Sequence, residues 1–144
     1  MKNTILIILS LVLLASCNKN DECEAIIPSD PAFNIRIVDG DGISLIGENN
    51  IYKPSEITLT RGSQTIFLLF NEYNEETYIK LYYPEIESGK DYQLKLNEQE
   101  TDILNLTLKN IEGECFDFLS VEAFYINGAE VPFDSDSYSY VIQK

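Results

Sequence analysis

Three cysteines, twenty-four carboxylates and no histidine bound the chemistry open to this 144-residue chain. Without His there is no Ser-His-Asp or Cys-His machinery, and most transition-metal sites lose their commonest ligand. Neither a nucleophile-elbow G-x-S-x-G, nor a P-loop, nor a dinucleotide fingerprint occurs. A carboxylate pair could in principle hydrolyse a glycosidic bond, but that needs a deep cleft that a small β domain rarely offers. The expectation is therefore a protein that is not an enzyme and needs no cofactor. Asp39-Gly40-Asp41-Gly42 has the start of a calcium loop. Position 43 is Ile where a third oxygen ligand belongs, so Asp39 and Asp41 are weak Ca²⁺ candidates, with Asp134 and Asp136 as distant partners. The stronger reading of Asp and Gly at strand ends is a turn. Nine Tyr and seven Phe accompany an absence of Trp. Tyr78 and Tyr82 fall on the same side of one expected strand, where flat rings could stack on a sugar. Tyr equally fills half-buried sheet positions.

The cysteines have separate readings. Cys17 follows Leu14-Ala15-Ser16, and before that Lys2 precedes the apolar run Ile5 to Leu14, broken only by Ser10. The run is too short to span a bilayer, which takes about 20 residues, and fits a cleaved secretory signal. Cys23 and Cys115 remain as an even pair, which outside the cytoplasm reads as a disulfide. Such a bridge closes a loop of about 90 residues, for which the chain-entropy model gives at most about 4–5 kcal/mol.

The Leu-Ala-Ser-Cys box resembles the bacterial lipobox. That resemblance implies alkylation of the Cys17 thiol by diacylglycerol, cleavage before it, and acylation of the new amine. Residues 1–16 are then signal peptide, 17–32 the lipidated Cys and a flexible tether, and 33–144 the folded domain. Asn18-Lys19-Asn20-Asp21-Glu22 is similar to the surface-export stretch of Bacteroidota lipoproteins, although Asn20 interrupts the match. Together with the Pro31-to-Gly42 opening segment and the Cys115-to-Phe118 strand before Asn127-Gly128, these features resemble small Bacteroidota-type lipoproteins. The resemblance implies an outer-membrane address, on the surface or the periplasmic face, and no particular activity.

The precursor carries a net charge of −14, and loss of Lys2 with the signal leaves about −15. That excludes nucleic acid as a natural partner, because its affinity comes from Lys and Arg on phosphates. Contact with the membrane is then expected through lipid on Cys17 alone. The remaining partner is a protein or a glycan.

From Phe33 onward the apolar period is two, which predicts strands with one face on a core. Phe33/Ile35/Ile37, Ile57/Leu59, Ile79/Leu81, Tyr92/Leu94/Leu96, Leu104/Leu106/Leu108 and Tyr138/Tyr140/Ile142 each mark an inward row. Gln64 to Phe70 is apolar on both faces and suits a central strand. Phe116 to Ile126 loses its alternation near Leu119, where a bulge is expected. Asn127-Gly128 is the strongest hairpin signal, returning through Ala129 to Phe133, with Pro132 consigning that strand to an edge. Eight or nine short strands predict an all-β, antiparallel β-sandwich, loosely Ig-like, with a small β-barrel as the alternative. The leading functional expectation is a membrane-anchored, non-enzymatic binding or scaffold lipoprotein. A glycan-binding accessory protein of a nutrient-uptake system is the second reading and a small hydrolase the third.

Overall fold

A computed structural model describes residues 31–144. Cys17, Cys23, the signal and the tether up to residue 30 lie outside the described residues. Among the described residues, eleven strands build two sheets that face each other as a sandwich. They run β1 (Ala32–Val38), β2 (Thr58–Arg61), β3 (Gln64–Ile66), β4 (Leu68–Tyr73), β5 (Glu76–Tyr82), β6 (Asp91–Lys95), β7 (Thr101–Ile111), β8 (Phe118–Ile126), β9 (Ala129–Glu130), β10 (Phe133–Asp134) and β11 (Ser139–Gln143). One sheet has the order β10-β11-β1-β5-β4 and the other β3-β2-β6-β7-β8-β9. Both sheets stay open, so the sandwich holds and the barrel alternative does not. The extra strands are two or three residues long, too short to leave an alternating signal in sequence.

Period-two alternation places the core as expected. Ile35 and Ile37 of β1, Ile79 and Leu81 of β5, Leu94 of β6, and Leu104 and Leu106 of β7 are all buried between the sheets, and Phe124 of β8, from the segment without clean alternation, is buried with them. Each such side chain removed from water contributes about 1.5–3 kcal/mol relative to exposure. Phe33, Phe124 and Tyr140 close one part of this core with ring centroids 4.9–5.6 Å apart, two of the three contacts edge-on.

Four expectations are corrected. Pairing is not antiparallel throughout: β1 lies parallel to β11, with Ile35 opposite Tyr140, so the first and last strands meet. Parallel pairing has no local sequence signature, because it joins distant segments. Gln64 to Phe70 is not one central strand. It breaks at Phe67 into β3, at an edge of one sheet, and β4, at an edge of the other. Ile66 faces the core, but Phe67 is 67% exposed and Leu69 is 37% exposed. Apolar residues on both faces here mark a chain crossing between sheets, not a doubly covered strand. The bulge in β8 sits at Glu122, not Leu119, because Thr107 pairs with Ala123 and Leu108 with Val121. Tyr138 does not join the inward row: its φ is +53° and its ring is exposed.

The Asn127-Gly128 turn forms as read, with φ of +52° and +79°, the left-handed pair of a type I′ hairpin. Its returning strand is only Ala129–Glu130, an edge strand, after which Pro132 leads the chain across to β10.

Candidate functional site

The outer face of the β1-β5-β4 sheet carries a concavity of about 670 Å³. Its position follows from strand parity. In β1 and β5, residues of one parity fill the core, which leaves Asn34, Arg36, Glu76 and Tyr78 on the opposite face. A flat sheet face cannot enclose a ligand, so the walls must come from connections. One wall is β4 with its turn into β5, contributing Asn71, Tyr73 and Asn74. The opposite wall is the segment joining β10 to β11, contributing Asp134, Asp136 and Ser137.

Local turn geometry shapes both walls. Asn74 and Glu75 hold φ of +50° and +66°, so the β4–β5 hairpin turns within two residues. In the β10–β11 segment, Asp134 accepts hydrogen bonds from the Asp136 backbone N–H at 3.0 Å and the Ser137 hydroxyl at 2.6 Å. The Ser137 hydroxyl also lies 2.7 Å from that of Ser139, which is fully buried. The Ser137 bond, then the backbone bond at Asp136, hold the Asp134 carboxyl below the usual carboxylate range.

At the floor, Arg36 donates from Nη2 to Glu76 at 2.6 Å, and its guanidinium lies 5.8 Å from the Tyr78 ring centre. Tyr78 donates its hydroxyl to the other Glu76 oxygen at 3.1 Å. Burial, then this bond, push the Tyr78 hydroxyl up from its ordinary value. Arg36 Nε is buried with no hydrogen-bond partner among the described residues. Leaving such a donor unmade costs roughly 1–3 kcal/mol. The side-chain amides of Asn34, Asn71 and Asn74 make no hydrogen bond among the described residues. The concavity thus offers the hydrogen-bonded Tyr78 ring, the exposed Tyr73 ring, an oriented guanidinium, carboxylates and three unengaged amides. That set has the paired donors and acceptors to which hydroxyl-rich or amide-bearing molecules are chemically complementary.

The sequence candidates are distributed differently from their expected grouping. Tyr78 lies in the concavity. Tyr82 shares its sheet face but sits four residues, about 13 Å, further along the strand. There it lines a separate hollow of about 280 Å³ with Phe67 and Pro84, and Lys80 Nζ lies 5.2 Å from its ring centre. The two rings do not form one platform. Asp39 accepts at Oδ1 from the backbone N–H groups of Asp41 and Ile43, both at 2.9 Å, which is the chemistry of a turn. Asp134 and Asp136 belong to the concavity, of which Asp39 and Asp41 are not part. No group of three His, Cys, Asp or Glu side chains converges among the described residues. Cys115 is half-buried between β7 and β8 and is not a free thiol. The expected bridge to Cys23 has its other end outside the described residues.

Sequence reasoning passed over Asn34, Arg36 and Asn71, and weighed Tyr73 only as one of several aromatics near a predicted loop or strand. The first two read only as water-facing members of a strand. The last two fell in or beside a turn cluster, where an aromatic among Asn and Glu was the available signal.

A second constellation fastens the two sheets together. Lys144, just past β11, donates to Asp102 of β7 at 2.5 Å and to Glu100 at 2.7 Å. Asn127 donates to the other Asp102 oxygen at 2.7 Å, and Tyr52 donates to Glu100 at 2.5 Å. Burial, then the Glu100 bond, raise the Tyr52 hydroxyl far above its ordinary value. Lys144 bonds foremost, then Tyr52, hold Glu100 below the usual carboxylate range. Every polar atom of this cluster is engaged in joining elements, which makes it a structural latch.

No family model matches the chain, and neither a curated protein nor a solved structure does.

Proposed function

We propose that this chain is a bacterial lipoprotein, moored in the outer membrane by lipid on Cys17, whose β-sandwich is a non-enzymatic binding module. The outer-face concavity is its binding site. The observation that carries this reading is the convergence of three unengaged amides and Tyr78 between two hydrogen-bonded turns. The lipobox residues Leu14 to Cys17 support the anchor, and a Cys23–Cys115 bridge would tie the tether to the β7–β8 end of the domain.

The placement of Tyr78 beside amides and carboxylates favours a glycan as the ligand, as in an accessory protein of nutrient uptake. Tyr82 takes no part in it. The test is binding of the full chain, in non-ionic detergent, to an array of neutral and acidic glycans, repeated with Tyr78→Ala and Asn71→Ala. Binding lost in both variants and kept in Tyr82→Ala supports this site. Binding that follows Tyr82 instead, or turnover of any arrayed glycan, removes it. For the anchor, Cys17→Ser must release the protein from the membrane fraction.

A further inference from the structure

An edge strand exposes a row of unpaired N–H and C=O groups, and proteins ordinarily blunt such rows with short strands, Pro, Lys or bulges. Three of the four sheet edges here are blunted by length. β9 and β10 have two residues each and β3 has three. Pro132 stands between β9 and β10. β4 is different. It is six residues long, forms an outer edge, keeps unbroken register with β5, and contains no Pro or Lys.

The direction of its free groups follows from the hairpin. The turn occupies Asn74 and Glu75, so Tyr73 and Glu76 are the closing pair and exchange both backbone bonds. Alternation then sends the N–H and C=O groups of Glu72, Phe70 and Leu68 outward. No described strand meets them. Beside this row Leu69 is 37% exposed and Tyr73 is 68% exposed.

Charge selects the occupant. The only ionised side chain on β4 is Glu72, and Glu75 follows in the turn; Glu76 is already paired with Arg36 and Lys80 lies opposite Leu69 on β5, while Asp134 and Asp136 stand across the concavity. A second copy of the chain would bring the same carboxylates, and a net charge of −14, against this edge. Like charges juxtaposed across an interface cost several kcal/mol. We propose that β4 is a docking edge at which an extended, basic segment of a partner protein adds as a sixth strand of the sheet. Backbone bonds supply the affinity of such an addition, and alternate side chains supply its specificity. Apolar residues of the added strand would lie beside Leu69 and Tyr73, and a Lys or Arg opposite Glu72.

The test uses the full chain in non-ionic detergent and a peptide of about eight residues alternating Lys with Val, long enough to cover the strand. The control peptide has Glu in place of Lys. The expected result is slowed amide exchange at Leu68, Phe70 and Glu72 with the basic peptide only. Glu72→Lys, an exposed position, should weaken binding about tenfold or more through like-charge repulsion. Glu72→Pro should abolish it while the β4–β5 hairpin survives, because the lost N–H points outward. Should that variant fail to fold, the Glu72→Lys result decides. Tyr78→Ala should leave strand addition intact, which separates this surface from the concavity. Equal protection by the acidic peptide, protection away from β4, no protection by either peptide, or a β4-mediated dimer of the chain would each overturn the proposal.

Discussion

Replacing Lys144 by Met should cost this fold about 3 kcal/mol, near the lower end of the range for breaking a buried pair. The Asp102 carboxylate is buried, with 4% of its side chain exposed, and Lys144 is 18% exposed. Without the ammonium, Asp102 keeps only Asn127 as a side-chain donor. The Glu100 arm adds little, because Glu100 is 37% exposed and a solvent-screened pair contributes about 0.2–1 kcal/mol. With an unfolding entropy of roughly 2.1 cal/mol/K per residue, a domain of this length should lose about 12 °C in Tm. Urea denaturation of wild type, Lys144→Met, and Lys144→Met with Asp102→Asn measures the effect. The double variant should regain most of the loss, since the neutral amide removes the uncompensated charge while still accepting from Asn127. A single-variant loss below about 1 kcal/mol, or a double variant no better than the single, would show that water already satisfies Asp102 and would refute the latch.

Further expectations concern pH and one glycine. Glu100 is a carboxyl depressed on folding, so its contribution is complete above its unfolded value of about 4.3 and is lost as pH falls through its lower folded value. Stability should therefore drop below about pH 4, and less steeply in Lys144→Met; superimposable acid limbs in pH-resolved urea titrations would contradict this. Tyr52 is shifted the other way, by burial and then Glu100, so its contribution is complete below about pH 10 and is lost as pH rises beyond it. Tyr52→Phe should flatten that alkaline limb, read by the same titrations. At Gly113 an added Cβ would lie 2.4 Å from the backbone oxygen of Phe116, a contact that only backbone movement can relieve. Gly113→Ala should cost about 1–3 kcal/mol, as overpacking does. An unchanged urea midpoint would mean that the β7–β8 connection yields freely.

Period-two alternation was enough to determine that the chain makes strands and, outside residues 64–70 and 116–126 and apart from Tyr138, which side chains face inward, because alternation is a local property of the backbone. Ile35, Ile79, Leu94 and Leu104 are buried for that reason, and Asn127-Gly128 turns because those two residues tolerate positive φ. What alternation cannot carry is which strand lies beside which. The parallel meeting of β1 with β11, the division of Gln64 to Phe70 between two sheets, and the reach of Lys144 to Asp102 all join segments far apart in the chain. The candidate site was hidden for the same reason. Tyr78 could be placed on an outer face from its parity, yet its company of Asn34, Arg36 and the Asp134–Ser137 wall came only with pairing across the sheet. The separation of Tyr82 from it required the hollows themselves. Local sterics and hydrophobic patterning are written residue by residue, whereas a site assembled from strands distant in sequence exists only once the long-range hydrogen-bond ladders have closed.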